Sequence, residues 1–160
     1  MSAMDSILRK NLFTAGQAIE HLCNDVKFDK LFSQACQIII NSYKSGGRLY
    51  IAGNGGSASD ASHFAAELVV RIGVNRPSIP AESLTADTAI ITAIGNDFGY
   101  ENIFSRQLEG KIKKEDVFIA LSTSGNSPNI LKALEYTKKR SIPSILFSSK
   151  DGGKAKELAD

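Results

Sequence analysis

Apolar positions recur at helical spacing over the first forty residues and then give way to short continuous apolar runs. In Ser6–Cys23 the stripe is Ile7, Leu8, Leu12, Ala15, Ile19 and Leu22. In Asp29–Tyr43 it is Leu31, Phe32, Ala35, Ile38 and Ile39. Both read as amphipathic helices. Gly46-Gly47 closes the second, as a glycine after the last helical turn does. Core packing explains both stripes, and part of the first also suits a subunit interface.

From Arg48 the pattern alternates. Strands are expected at Arg48–Ala52, Ala81–Thr85, Val117–Ser122 and Ser144–Phe147. Helices are expected at Ser57–Val70, Thr88–Ile94, Glu101–Leu108 and Pro128–Lys139. Continuous apolar strands joined by helices predict an α/β fold, a three-layer sandwich whose parallel sheet is flanked by helices. In such sheets ligands bind beyond the carboxyl ends of the strands.

Two polar turns fall at those ends. Gly53-Asn54-Gly55-Gly56-Ser57 precedes a helix, and its glycines allow positive φ and close approach of a ligand. Ser122-Thr123-Ser124-Gly125-Asn126-Ser127-Pro128 repeats the logic with four hydroxyls, Ser127 at the N-cap and Pro128 at N1. Ordinary helix capping accounts for either turn alone; the two together suit a sugar phosphate. No Gly-Lys-Ser/Thr follows either, so neither is a P-loop. Gly53, Gly55 and Ala58 do spell a relaxed dinucleotide fingerprint, with Glu82 as a distant ribose acid. The polar helix start and the two preceding helices speak against it.

His63 and Glu67 stand four residues apart on the helix after the first turn. That spacing suits two ligands of one metal or a base with its orienting partner, and equally an exposed ion pair. Gly95-Asn96-Asp97-Phe98-Gly99 is a third polar turn, whose Asn96 and Asp97 either cap the next helix or accept hydrogen bonds from a sugar.

Composition narrows the class. The chain has 160 residues, 42% hydrophobic and 22% charged, with a net charge of +2, too small to argue for nucleic acid. No apolar run reaches a membrane span and no secretion signal opens the chain. Cys23 and Cys36 lack metal or disulfide spacing and read as cysteines of a reducing compartment, so a cytoplasmic location is expected.

The segments GNGGSASDASHFAAEL, IGNDFGYENIFSR, STSGNSPN and KDGGK, in that order, resemble the sugar isomerase (SIS) domain family, and within it the phosphoheptose isomerases. The resemblance spans nearly the whole chain as a single SIS domain over 1–160. It implies conversion of sedoheptulose 7-phosphate to D-glycero-D-manno-heptose 7-phosphate through an enediol, the first step of nucleotide-heptose biosynthesis. It also implies roles for residues. Asn54, Gly55, Gly56, Arg71, Asn96 and Asp97 would contact substrate, and Ser122, Thr123, Ser124 and Ser127 would hold its phosphate. His63 and Glu67 would bind zinc, with Glu67 also the catalytic base. The family forms homotetramers with sites between subunits. It also carries a further C-terminal strand and helix with the remaining zinc ligands, which this chain, ending at Asp160, does not include. On that ground the 160-residue form is expected to be weakly active or inactive, with an open sheet edge. Relatives of the same fold that bind a replication initiator protein, or sense a sugar phosphate, form the alternative. The former typically lack the glutamate found here at Glu67.

Overall fold

The computed structural model describes residues 3–149 and 151–160. It divides into two compact units, Met1–Gln37 and Ile38–Asp160.

The first unit holds α1 (Ala3–Asn24) and most of α2 (Val26–Lys44). Asp25 starts α2: its Oδ1 accepts the backbone N–H groups of Lys27 (2.9 Å) and Phe28 (3.1 Å), the pattern of an N-cap carboxylate. The helix therefore begins at Val26, three residues before Asp29, the expected start. Phe28 and Phe32 stack one turn apart, ring centroids 6.3 Å. Core packing does not hold for the α1 stripe or the start of the α2 stripe, whereas Ala35, Ile38 and Ile39 are half-buried. Ile7, Leu8, Leu12 and Ile19 are each at least 60% exposed, and Leu31 and Phe32 are more than half exposed.

The second unit is built on four parallel strands in the order β2-β1-β3-β4. They are β1 (Leu49–Gly53), β2 (Ala81–Ser83), β3 (Val117–Ser122) and β4 (Ser144–Ser148). In register, Leu49 faces Ala81 on one side and Val117 on the other, and Phe118 faces Ser144. Every residue of β1 is buried, which is why it reads as an unbroken apolar run. Alternate side chains serve opposite faces. Tyr50, Ala52, Phe118 and Ala120 join one core cluster with Phe104, Leu108, Ile130 and Leu134. That core lies under α4 (Thr88–Phe98), α5 (Ser105–Lys111) and α6 (Pro128–Lys139). α3 (Gly56–Val69) packs on β1, β2 and β3 and carries the buried Ala61 and Ala65. With the right-handed crossovers general to parallel strands, this strand order puts α3 on one face and α4 to α6 on the other.

In this unit three expected elements change by two residues or more, and β1, α3 and β4 shift by one. β2 ends at Ser83 instead of Thr85. α4 does not stop before Gly95 but runs to Phe98 and ends at Gly99, whose φ of 86° only glycine adopts readily. Asn96 and Asp97 therefore sit in the last turn of a helix, not in a loop. The expected Glu101 helix becomes a 3₁₀ turn at Tyr100–Asn102 followed by α5. Among the described residues no helix is long and apolar enough to cross a membrane.

Candidate active site

The first turn folds back because nothing larger than hydrogen fits at Gly53. A Cβ there would lie 2.5 Å from the Ser57 carbonyl oxygen. Gly55, at φ 56°, then reverses the chain into α3. The N–H groups of Ser57 and Ala58 donate to the Asn54 and Gly55 carbonyls, each at 3.0 Å.

The second turn has its carbonyls drawn to one side. The Ser122 carbonyl accepts from Ser148 Oγ (2.7 Å), that of Thr123 from Ser149 Oγ (2.8 Å), and that of Gly125 from the Ala155 N–H (2.9 Å). The Ser124 carbonyl accepts from Asn126 Nδ2 (2.8 Å). The segment after β4 thus neutralises the negative ends of this turn's peptide groups, a favourable setting for an anion. Glycine is required on both sides of this contact. A Cβ on Gly125 would fall on the Gly152 carbonyl, and one on Gly153 would lie 2.5 Å from the Ser124 carbonyl oxygen. Gly152 and Gly153 of the KDGGK motif cradle the second turn. Ser127 stands at the N-cap of α6 as expected, but its hydroxyl makes no capping bond.

Between α3 and the ends of β3 and β4 lies a cleft of about 560 Å³. From α3 it is lined by Ser57, Asp60, His63, Phe64 and Glu67, and from the strand ends by Ser122, Thr123, Ser148 and Ser149. His63 Nε2 lies 3.1 Å from Glu67 Oε1; the histidine side chain is 76% exposed and the glutamate 37%. One titratable pair thus faces a hydroxyl-rich wall across open space. The cleft can hold a polar, anionic molecule at one end and move a proton at the other.

Four of the candidate residues meet here: His63, Glu67, Ser122 and Thr123. Others do not line this cleft. Asn96 and Asp97 are exposed and bonded to each other (2.7 Å), and they do not cap the following helix. Arg71 is exposed beside the cleft residue Ile72. Ser124 is exposed, its hydroxyl accepting the Asn126 N–H. The Asn54 side chain turns toward Asn129 and Tyr100. Glu82, the acid a dinucleotide would need, is ion-paired to Lys111 at 2.6 Å.

Asp60, Phe64, Ser148 and Ser149 also line the cleft, outside the set expected from the sequence. Asp60 was detectable, since positions 60, 63 and 67 share one helical face. Ser148 and Ser149 were not, because only the β3–β4 register brings them beside Ser122. Nε2 and Oε1 of the His63–Glu67 pair stand at a separation that fits neighbouring ligands of one zinc ion. Among the described residues no group of three His, Cys, Asp or Glu side chains converges as a metal shell.

Comparison with known proteins agrees with this architecture. Residues 17–149 match the model of the SIS domain, so the chain belongs to the SIS domain family. A phosphoheptose isomerase 2 from Campylobacter jejuni is 46% identical over 160 residues, all of this chain and 80% of the relative. One from Aneurinibacillus thermoaerophilus is 42% identical, over 98% of this chain and 79% of the relative. The solved phosphoheptose isomerase of Francisella tularensis superposes with a TM-score of 0.91 at 30% identity, covering 100% of this chain and 82% of that one. Within its family the chain therefore falls among the phosphoheptose isomerases, aldose–ketose isomerases that act on sugar phosphates in heptose biosynthesis.

Proposed function

We propose that the protein converts sedoheptulose 7-phosphate to D-glycero-D-manno-heptose 7-phosphate in the cytoplasm, by proton transfer between C1 and C2 through an enediol. One observation carries this reading: Glu67, Ser122 and Thr123 line a single cleft. Ser122, Thr123, Ser124 and Ser127 hold the phosphate. Anchoring that end orients the reacting carbons and removes most of the entropic cost of bringing them to the base. Glu67 takes the proton from one carbon and returns it to the next.

His63 and Glu67 supply two donors for zinc, which when bound would polarise the sugar oxygen beside the reacting carbon. In its own right His63 keeps the Glu67 carboxylate oriented through their 3.1 Å contact. Asn54, Gly55 and Gly56 border the sugar. Asn96, Asp97 and Arg71 reach substrate only in an assembly where a neighbouring copy completes the site. The exposed apolar faces of α1 and α2 favour a homotetramer of that kind.

The test is turnover of sedoheptulose 7-phosphate by wild type and Glu67→Gln, each carrying the C-terminal strand and helix that the family resemblance implies. Glutamine keeps the shape and loses the base, so kcat is expected to fall by about 100-fold or more. Unchanged turnover would remove Glu67 from the mechanism.

A further inference from the structure

The polar turns are tied together by a pair of side-chain carboxamides, Asn54 and Asn129, of which the catalytic reading uses only the first. Asn129, directly after the Ser-Pro of the second turn, is only 1% exposed. Its Nδ2 donates to Asn54 Oδ1 (2.8 Å), and its Oδ1 accepts from Asn54 Nδ2 (2.9 Å) and from the Ile130 N–H (2.9 Å). Tyr100, just past the third turn, donates its hydroxyl to the same Asn54 Oδ1 at 3.3 Å.

We propose that Asn129 is a positioning residue that fixes the Asn54 carboxamide as a hydrogen-bond donor toward the sugar. The identity of the sugar rests on the function proposed above; the positioning does not. A backbone N–H can only donate, so Ile130 fixes which end of the Asn129 amide is oxygen. The reciprocal pair passes that polarity to Asn54. A carboxamide oxygen has two accepting positions and its nitrogen two hydrogens. The Asn54 oxygen is filled by Asn129 and Tyr100, and one N–H is given to Asn129. What Asn54 has left to offer is a single N–H. It therefore recognises a carbonyl or hydroxyl oxygen with a lone pair to give. Turning the amide over would set its NH₂ against the Asn129 NH₂ and the Tyr100 hydroxyl, losing the reciprocal pair. The same contact holds the first turn in register with the second across 75 residues of chain.

The test is calorimetric titration of the full chain with sedoheptulose 7-phosphate. Wild type is compared with Asn54→Ala, Asn129→Ala, the double variant and Asn129→Asp, circular dichroism reporting the fold of each. Asn129→Ala should weaken binding about tenfold, the scale of one misplaced hydrogen bond. The double variant should bind no worse than Asn54→Ala, because Asn129 acts through Asn54. Asn129→Asp separates positioning from packing. A protonated acid reproduces both bonds to Asn54, whereas a carboxylate has no donor for its oxygen. Measured against wild type at each pH, Asn129→Asp should regain affinity as pH falls toward about 5, while Asn129→Ala stays flat. Losses that multiply in the double variant, or Asn129→Asp tracking Asn129→Ala at every pH, would overturn the proposal. If Asn129→Ala does not fold, the pH series of Asn129→Asp alone decides. If wild type does not bind the sugar phosphate, the substrate reading fails separately. The pair is then read without ligand from the Asn54 and Asn129 side-chain amide protons by NMR. Slow exchange in wild type, lost in Asn129→Asp at high pH, supports the fixed amide; fast exchange in wild type refutes it.

Discussion

Replacing Gly153 by alanine strains the turn proposed to hold phosphate without touching its hydroxyls. Gly153 has φ 54° and ψ −155°, a region essentially restricted to glycine; holding alanine there costs about 1–3 kcal/mol. The new methyl carbon would lie 2.5 Å from the Ser124 carbonyl oxygen, 2.6 Å from Asn126 Nδ2 and 2.8 Å from the Gly125 carbonyl oxygen. Two of these are backbone atoms of the turn and cannot swing aside, so overpacking adds about 1–3 kcal/mol. The methyl also intrudes on the 2.8 Å bond from Asn126 Nδ2 to the Ser124 carbonyl. A total of about 2–6 kcal/mol is expected, lowering the melting temperature by about 10 °C at mid-range, at the 2–4 °C per kcal/mol typical of this size. Affinity for sedoheptulose 7-phosphate and for inorganic phosphate should fall with it, because the displaced atoms are those of the turn. Gly110→Ala is the control. It lies within α5 with nothing within 4 Å of a Cβ, and should leave stability unchanged or raise it by up to about 1 kcal/mol. Thermal melts and phosphate titrations on both variants give the answer. A Gly153→Ala protein with wild-type melting temperature and affinity would refute the claim that Gly153 shapes the second turn.

Three further outcomes are expected. Burial pushes the Tyr43 hydroxyl up to about 12, against a smaller downward pull from Arg76; its contribution to stability is full below pH 10, where the unfolded phenol begins to ionise, and is lost as pH rises through about 12. Denaturant unfolding should show wild type losing stability against Tyr43→Phe between about pH 10 and 12, and parallel curves would refute this. Leu8→Glu with Leu12→Glu, both at least 60% exposed, should reduce the assembly state in analytical ultracentrifugation if the α1 face is an interface; an unchanged mass would count against that face. His63→Ala should lower bound zinc by about 10-fold or more in metal analysis, and full zinc retention would remove His63 from the ligand set.

The sequence carried the sheet more clearly than the helix ends. β1 and β3 are buried on both faces and read as apolar runs, so their limits held closely. Gly95 read as a helix stop because glycine ends helices, yet it has open space around it and the helix passes through. The real terminator is Gly99, marked by a positive φ that no pattern of polarity reveals. Asp29 read as a helix start where Asp25, bonding two backbone amides, is the cap. At the site, the i, i+4 spacing of His63 and Glu67 announced their shared face directly. The KDGGK segment was visible only as a string of residues, because its function is to meet another turn in space. Asn129 was hidden for the same reason: pairing with Asn54 depends on the β1–β3 register and leaves no local trace.

The central claim is that Glu67 moves a proton between adjacent carbons of a sugar phosphate. It is tested most directly by incubating sedoheptulose 7-phosphate in D₂O with the protein carrying the family's C-terminal strand and helix, and following the C1 proton signals by NMR. Wild type should wash out a C1 proton as it forms the aldose, and Glu67→Gln should leave it in place over the same period. Washout at wild-type rate by Glu67→Gln, or none by wild type, would contradict the account.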